Sequence, residues 1–289
     1  MTRLILAMLL SLAMPGAAFA HEYRFSSPDV LNLSAPERLG QSSKLSPAPG
    51  GALAADQAQR ILAGASLNSD APGQIPYSGE EGEQLRARER ALISAEHGSV
   101  QRSKKLLSIK PTAGEMVTFR DWTQAGGSAS DGDSETFVYM GRIAASGYHL
   151  VEVLFGQDSP GAFLVNPATG KLAFVHNGSD VVALSRDGRK ILAFDPANAP
   201  FLLVIADLGP DGPTVDLQCG AAGAGTVSAA DFKGWADGNA FGVVFSVAPA
   251  EGKTIHEVPV LFEPGEQGWR WSTTDTAFFD GAGGYACRR

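Results

Sequence analysis

From about residue 117 onward, apolar and polar positions alternate with a period of two. That spacing puts successive side chains on opposite faces of an extended chain, so short alternating runs predict half-buried β-strands. Runs at 136–143, 148–155, 162–166, 171–175, 181–185 and 190–195 carry the pattern. Further runs lie at 201–207, 214–219, 229–235, 240–247, 256–262 and 269–273. They are rich in Val, Phe, Leu and Tyr and are separated by Gly, Pro, Asn and Asp, the residues of turns. Pro167-Ala168-Thr169-Gly170 and Asp187-Gly188 each sit between two runs and predict tight hairpins. A parallel sheet would need crossover helices between strands, and no helical period appears there. Residues 111–289 are therefore expected to form a mainly β domain, an antiparallel meander.

Upstream the pattern differs. Residues 80–96 predict a helix, with Glu80, Glu81 and Glu83 at its N-terminus, Gly98 past its end and a narrow stripe of Leu85, Leu92 and Ile93. Residues 80–110 are expected to be a helical arm and linker. A weaker helix is expected around 52–63, with Leu53, Ile61 and Leu62 apolar. The rest of 21–79 is rich in Ser, Pro, Ala and Gly, with few aromatics. Such a composition buries too little apolar surface to offset chain entropy, so a low-complexity, largely disordered leader is expected. Residues 1–20 carry Arg3, an apolar run to Met14, Pro15-Gly16 and then Ala18-Phe19-Ala20, the features of a secretory signal peptide. No later run reaches the roughly 18 apolar residues of a membrane helix. The expectation is a periplasmic or secreted protein with no membrane span after cleavage. In that compartment the two cysteines, Cys219 and Cys287, are expected to form one disulfide.

Charge is unevenly spread. Residues 1–110 hold 12 Lys+Arg against 10 Asp+Glu, and residues 111–289 hold 11 against 21. The net charge of −8 argues against nucleic acid as a partner. Asp-Gly recurs at 131, 187, 237 and 280, at spacings of 56, 50 and 43 residues, near the roughly 40–50 of a four-stranded propeller blade. Ser185-Arg186-Asp187-Gly188-Arg189-Lys190-Ile191-Leu192-Ala193-Phe194 resembles the repeat of bacterial periplasmic propellers such as the Tol–Pal propeller, with Arg186 in place of the usual Pro. The order Phe137 to Gly141, Tyr148 to Glu152, Phe163 to Lys171, the Asp-Gly turn and a Trp-x-Asp turn is similar to that of exported, uncharacterised bacterial proteins with a short propeller-like β domain. The resemblance covers about residues 105–250. It implies a small or incomplete β-propeller and carries no known activity.

Chemical motifs are sparse. Gly132-Asp133-Ser134 matches part of a hydrolase nucleophile block, but Glu135 follows and no Asp-x-x-His supplies a base. Asp131, Asp133 and Glu135 begin like a calcium loop without its distal Glu. His21, at the expected mature N-terminus, and His256 lack companion ligands at metal spacing. The run Gly220 to Gly225 lacks the Lys and Ser/Thr of a phosphate loop. Trp269 and Trp271 share one face of a strand, as core or as a platform for sugar or peptide. Together with Trp235 they are the candidate binding surface. No catalytic, metal or cofactor residue is assigned and no cofactor is expected. The functional expectation is an exported, non-enzymatic binding or scaffolding protein with an unknown protein or glycan partner. The alternative is an exported hydrolase or lyase acting on polysaccharide or peptide, with Asp131, Asp133 and Asp237 as candidate acids.

Overall fold

A computed structural model describes residues 21–22, 30–33, 48–63, 82–123, 134–155, 159–176, 181–194, 203–221, 227–247, 256–266, 268–275 and 285–288. The expected signal peptide, Asp131, Gly132 and Asp133, and the last Asp-Gly pair lie outside these residues. The N-terminal elements are β1 (His21–Glu22), β2 (Val30–Asn32), β3 (Ala48–Ala52), α1 (Ala55–Leu62) and α2 (Gly82–Ala95). Then come β4 (Val100–Ser103), β5 (Leu106–Ile109), β6 (Val117–Arg120), β7 (Trp122–Thr123), β8 (Ser134–Arg142), β9 (His149–Phe155), β10 (Ser159–Val165) and β11 (Leu172–His176). The second half holds β12 (Val181–Leu184), β13 (Lys190–Phe194), β14 (Leu203–Gly209), β15 (Gly212–Ala221), β16 (Val227–Trp235), β17 (Phe241–Val247), β18 (His256–Gly265), β19 (Gly268–Thr273) and β20 (Tyr285–Arg288).

The protein is mainly β, and the strands of the described residues sort into four open sheets taken up in chain order. Sheet 1 runs β1-β6-β5-β4, sheet 2 β2-β11-β10-β9-β8-β7, sheet 3 β12-β13-β14-β15-β20 and sheet 4 β16-β17-β18-β19-β3. Within each meander, neighbouring strands pair antiparallel; Phe163 lies opposite both Phe174 and Val151.

Alternation along each strand then decides which sheets touch. On β10, Phe163 and Val165 pack with Phe119 and Val117 of sheet 1, while Ala162 and Leu164 pack with Ile191 and Val204 of sheet 3. On β13 and β14, Leu192, Leu203 and Ile205 pack with Phe241, Phe245 and Phe262 of sheet 4. The sheets therefore stack face to face in the order 1-2-3-4. The two inner sheets are buried on both faces, which is why β10 and β14 read as nearly continuous apolar runs. The ends of the stack differ. The far face of sheet 1 presents Gln101, Ser103 and Arg120 to solvent. The far face of sheet 4, with Ala240, Val244 and Leu261, is covered by Leu53, Ala58 and Ile61 at α1. Among the described residues no core cluster joins sheet 1 to sheet 4.

The described residues of the leader include three short strands. β1, β2 and β3 add in parallel to β6, β11 and β19, the last meander strands of sheets 1, 2 and 4. β20 adds antiparallel to β15, the last meander strand of sheet 3. Each sheet thus has one outer edge closed by a segment from outside its own meander. The leader needs no core of its own for this. Edge strands supply its backbone partners, and a few apolar side chains suffice: Leu33 is buried between sheets 2 and 3, and Ile61 under α1. The expected linker at 97–110 likewise holds β4 and β5. Each has four residues, too short a run for alternation to stand out.

Candidate functional site

A group of largely buried charges lies where α2 meets the part of β8 beyond its two-residue pairing with β7. The backbone N–H of Phe137 donates to Asp121 Oδ1 (2.9 Å), and that of Tyr139 donates to Glu89 Oε1 (2.9 Å). The carbonyl of Phe137 accepts from the guanidinium groups of Arg102 and Arg86. These are the backbone groups a further strand would otherwise pair, and here side chains take that strand's place. Glu89 ties the group together. It is 1% exposed, accepts from Arg102 Nη2 (2.8 Å) and Nε (3.0 Å), and its other oxygen accepts from Arg86 Nη1 (2.9 Å). All four charges are spent on closing an edge and fastening sheet 1 to sheet 2.

A second chain follows at the end of α2. Tyr139 Oη donates to Glu96 Oε1 (2.7 Å), and Arg142 donates to Glu96 Oε2 from Nε (2.8 Å) and Nη2 (2.6 Å). The phenol's one proton is committed to Glu96, so His149 Nδ1, 2.9 Å away, is the donor to the phenol oxygen, which assigns the imidazole tautomer. Burial pushes His149 down to about 4, with the Arg142 charge adding to the shift. Burial pushes Tyr139 up, reinforced by its hydrogen bond to Glu96. Glu96 is held below the usual carboxylate range, because the hydrogen bonds from Arg142 and Tyr139 outweigh its partial burial. A Glu–Tyr–His chain has the makings of a proton relay, but Tyr139 and His149 are both fully buried and give a substrate no access.

The opposite kind of surface lies along one rim of the stack, where hairpin turns of neighbouring sheets meet. Asn239, after the Asp237-Gly238 turn of sheet 4, donates to Asp187 Oδ2 in the Asp187-Gly188 turn of sheet 3 (2.9 Å). Arg186 approaches Asp237 at 3.6 Å. Gly188 has φ +63°, and a Cβ there would stand 2.7 Å from that of Ala145, in the turn between β8 and β9. The two Asp-Gly turns read as repeat marks thus occupy matching places in adjacent sheets. Asp211-Gly212, however, makes the β14–β15 turn of sheet 3, so the dipeptide marks hairpins and does not count sheets. Between sheets 2 and 3, Asn166 holds the neighbouring turns. Its Oδ1 accepts from the N–H groups of Ala168 and Thr169, and its amide donates to Tyr148 Oη and to the carbonyls of Gly209 and Pro210.

At the sheet 4 end of this rim, beside α1, opens a cleft of about 240 Å³. Gln57 and Arg60 line it from α1, Asp237 from the turn and Glu263 from β18, over a floor of Ile61, Ala236, Ala240 and Leu261. Asp237 is the one candidate acid from the sequence that the structure places in a cavity. Glu135 sits apart on β8, and Asp131 and Asp133 fall outside the described residues. No group of His, Cys, Asp and Glu suited to a metal occurs among the described residues. His256 is exposed and faces Asp275 Oδ2 at 3.5 Å. The three tryptophans proposed as a binding surface are a correction. Trp235, Trp269 and Trp271 are 1%, 4% and 3% exposed in the core between sheets 3 and 4, because their face of sheet 4 is the one turned toward sheet 3. Gln57, Arg60 and Glu263 had no signal in the sequence, since each is an ordinary surface residue until α1 folds across sheet 4. No family model, curated protein or solved structure matches the chain.

Proposed function

We propose that this is an exported, non-enzymatic binding or scaffolding protein whose sheets follow a propeller-like order. The supporting observation is how the ionisable groups divide. Glu89, Asp121 and Glu96, each largely withdrawn from solvent, are consumed with their arginines in holding backbone and packing elements. The cleft holds solvated charge; Asp237 is 94% exposed. A nucleophile, a base and an orienting group do not converge at any described site. The propeller reading draws support from consecutive meanders packed face to face with matching turns along one rim. Export draws support from β15 and β20, where Cys219 lies directly opposite Cys287. Cα atoms so placed in an antiparallel pair are roughly 4.5–5.5 Å apart, within disulfide reach.

The alternative, a hydrolase or lyase, rests on one observation: Asp237 and Glu263 line the same cleft. One experiment separates the two. The purified protein is incubated with polysaccharide and peptide panels, and bound and released products are followed by mass spectrometry. Saturable binding without product supports the binding reading. Turnover that disappears in Asp237→Asn or Glu263→Gln overturns it.

A further inference from the structure

We infer that the cleft between α1 and sheet 4 binds a small zwitterion of the amino-acid or dipeptide class. The inference rests on the non-enzymatic reading and gives it a ligand. The cleft carries opposite charges on opposite walls. Arg60 stands on the α1 side, with Glu263 and Asp237 on the sheet side. Arg60 and Glu263 make no ion pair or hydrogen bond among the described residues, and Asp237 lies 3.6 Å from Arg186 of the neighbouring sheet. A guanidinium is matched to a carboxylate through its planar fork of donors, and a carboxylate pair is matched to an ammonium. Gln57 adds one group that both donates and accepts.

Size and floor narrow the ligand. Some 240 Å³ is below the roughly 300–1,000 Å³ of clefts for drug-sized molecules, which leaves room for one or two amino-acid residues. The floor of Ile61, Ala240 and Leu261 suits an aliphatic side chain. A neutral sugar fits less well. Its usual platform is an aromatic face, and none lines this cleft, because the three tryptophans of sheet 4 are turned into the core. The leader is integral to the site: α1 supplies one wall, so only a chain whose N-terminal segment has docked on sheet 4 can bind.

The test is calorimetric titration of the full mature chain with leucine, leucyl-leucine, N-acetyl-leucine, leucine amide and glucose. Leucine or leucyl-leucine should bind saturably, and which of them binds more tightly separates a free amino acid from a peptide. Capping either end should weaken binding at least tenfold. Arg60→Gln and Glu263→Gln should each do the same while leaving the thermal midpoint within about 2 °C, since neither side chain holds another element. No saturable binding of either zwitterion up to 10 mM, equal binding of the capped compounds, preference for glucose, or unchanged binding in both variants would overturn the assignment. Mass spectrometry of the same samples keeps the two conclusions apart. Cleavage of leucyl-leucine would sink the non-enzymatic reading, whereas absent binding sinks only the ligand.

Discussion

Glu89→Ala is the substitution whose cost follows most directly from the structure. It removes the carboxylate that accepts from Tyr139 N–H, from two nitrogens of Arg102 and from Arg86. Arg102, whose side chain is 14% exposed, keeps Asp121 at 3.2 Å but loses its closer partner. Removing one member of a buried pair costs about 3–5 kcal/mol, and an orphaned buried N–H about 1–3 kcal/mol; these overlap, so about 4 kcal/mol is expected for the whole. That is a large share of the 5–15 kcal/mol typical of a folded domain. Arg86→Ala should cost about 1 kcal/mol, because that side chain is 32% exposed and solvent screens its pair. Urea unfolding followed by tryptophan fluorescence gives both values, and the Glu89/Arg102 double-mutant cycle should return a coupling of about 1–3 kcal/mol. Hydrogen exchange should show the Tyr139 amide losing protection in Glu89→Ala. If Glu89→Ala cost under about 1 kcal/mol, or no more than Arg86→Ala, the idea that side chains replace a strand at this edge would be wrong.

Three further outcomes are expected. His149 is buried neutral with its folded value lowered to about 4, so the unfolded chain binds the proton first as pH falls. Its contribution is fully present above about pH 6.5 and drains away toward pH 4, by about 3 kcal/mol in all; His149→Gln should flatten that part of a stability–pH curve. Gly188→Ala should lower the urea midpoint more than Gly238→Ala. Both glycines have positive φ, near +63° and +67°, but only at 188 does the new Cβ collide with a neighbour, while nothing lies within 4 Å at 238; a value near 1 kcal/mol is expected at 238 and more at 188. Material recovered from the periplasm should lack two hydrogens by non-reducing mass analysis and resist alkylation at both cysteines. The bond would span 68 residues (287 − 219), so reducing it should cost about 4 kcal/mol in the chain-entropy model. Labelling of both thiols without reductant would count against it.

The strands from 134 to 273 and both helices were legible in the sequence because their signals are local. A period of two, a period of 3.6 and Gly, Asn or Asp at positive φ each depend only on neighbours along the chain. Thus the turns at 167–170 and 187–188 fall where their residues predict them, with Gly170 and Gly188 at φ +75° and +63°. What only tertiary structure decided is which surfaces meet. Burial is a property of a face and its neighbour, so the Trp269 and Trp271 pattern suits a platform as well as a core until sheet 3 packs against it. The leader's strands are short and weakly apolar, and they become strands only because folded sheet edges hold unpaired backbone groups for them. Glu89 and Arg60 show the same limit. Both sit on amphipathic helices among other charges, and α2 against β8 buries one while α1 beside sheet 4 sets the other at a cleft. Local chemistry along the chain writes the elements, and long-range docking assigns their charges to structure or to binding.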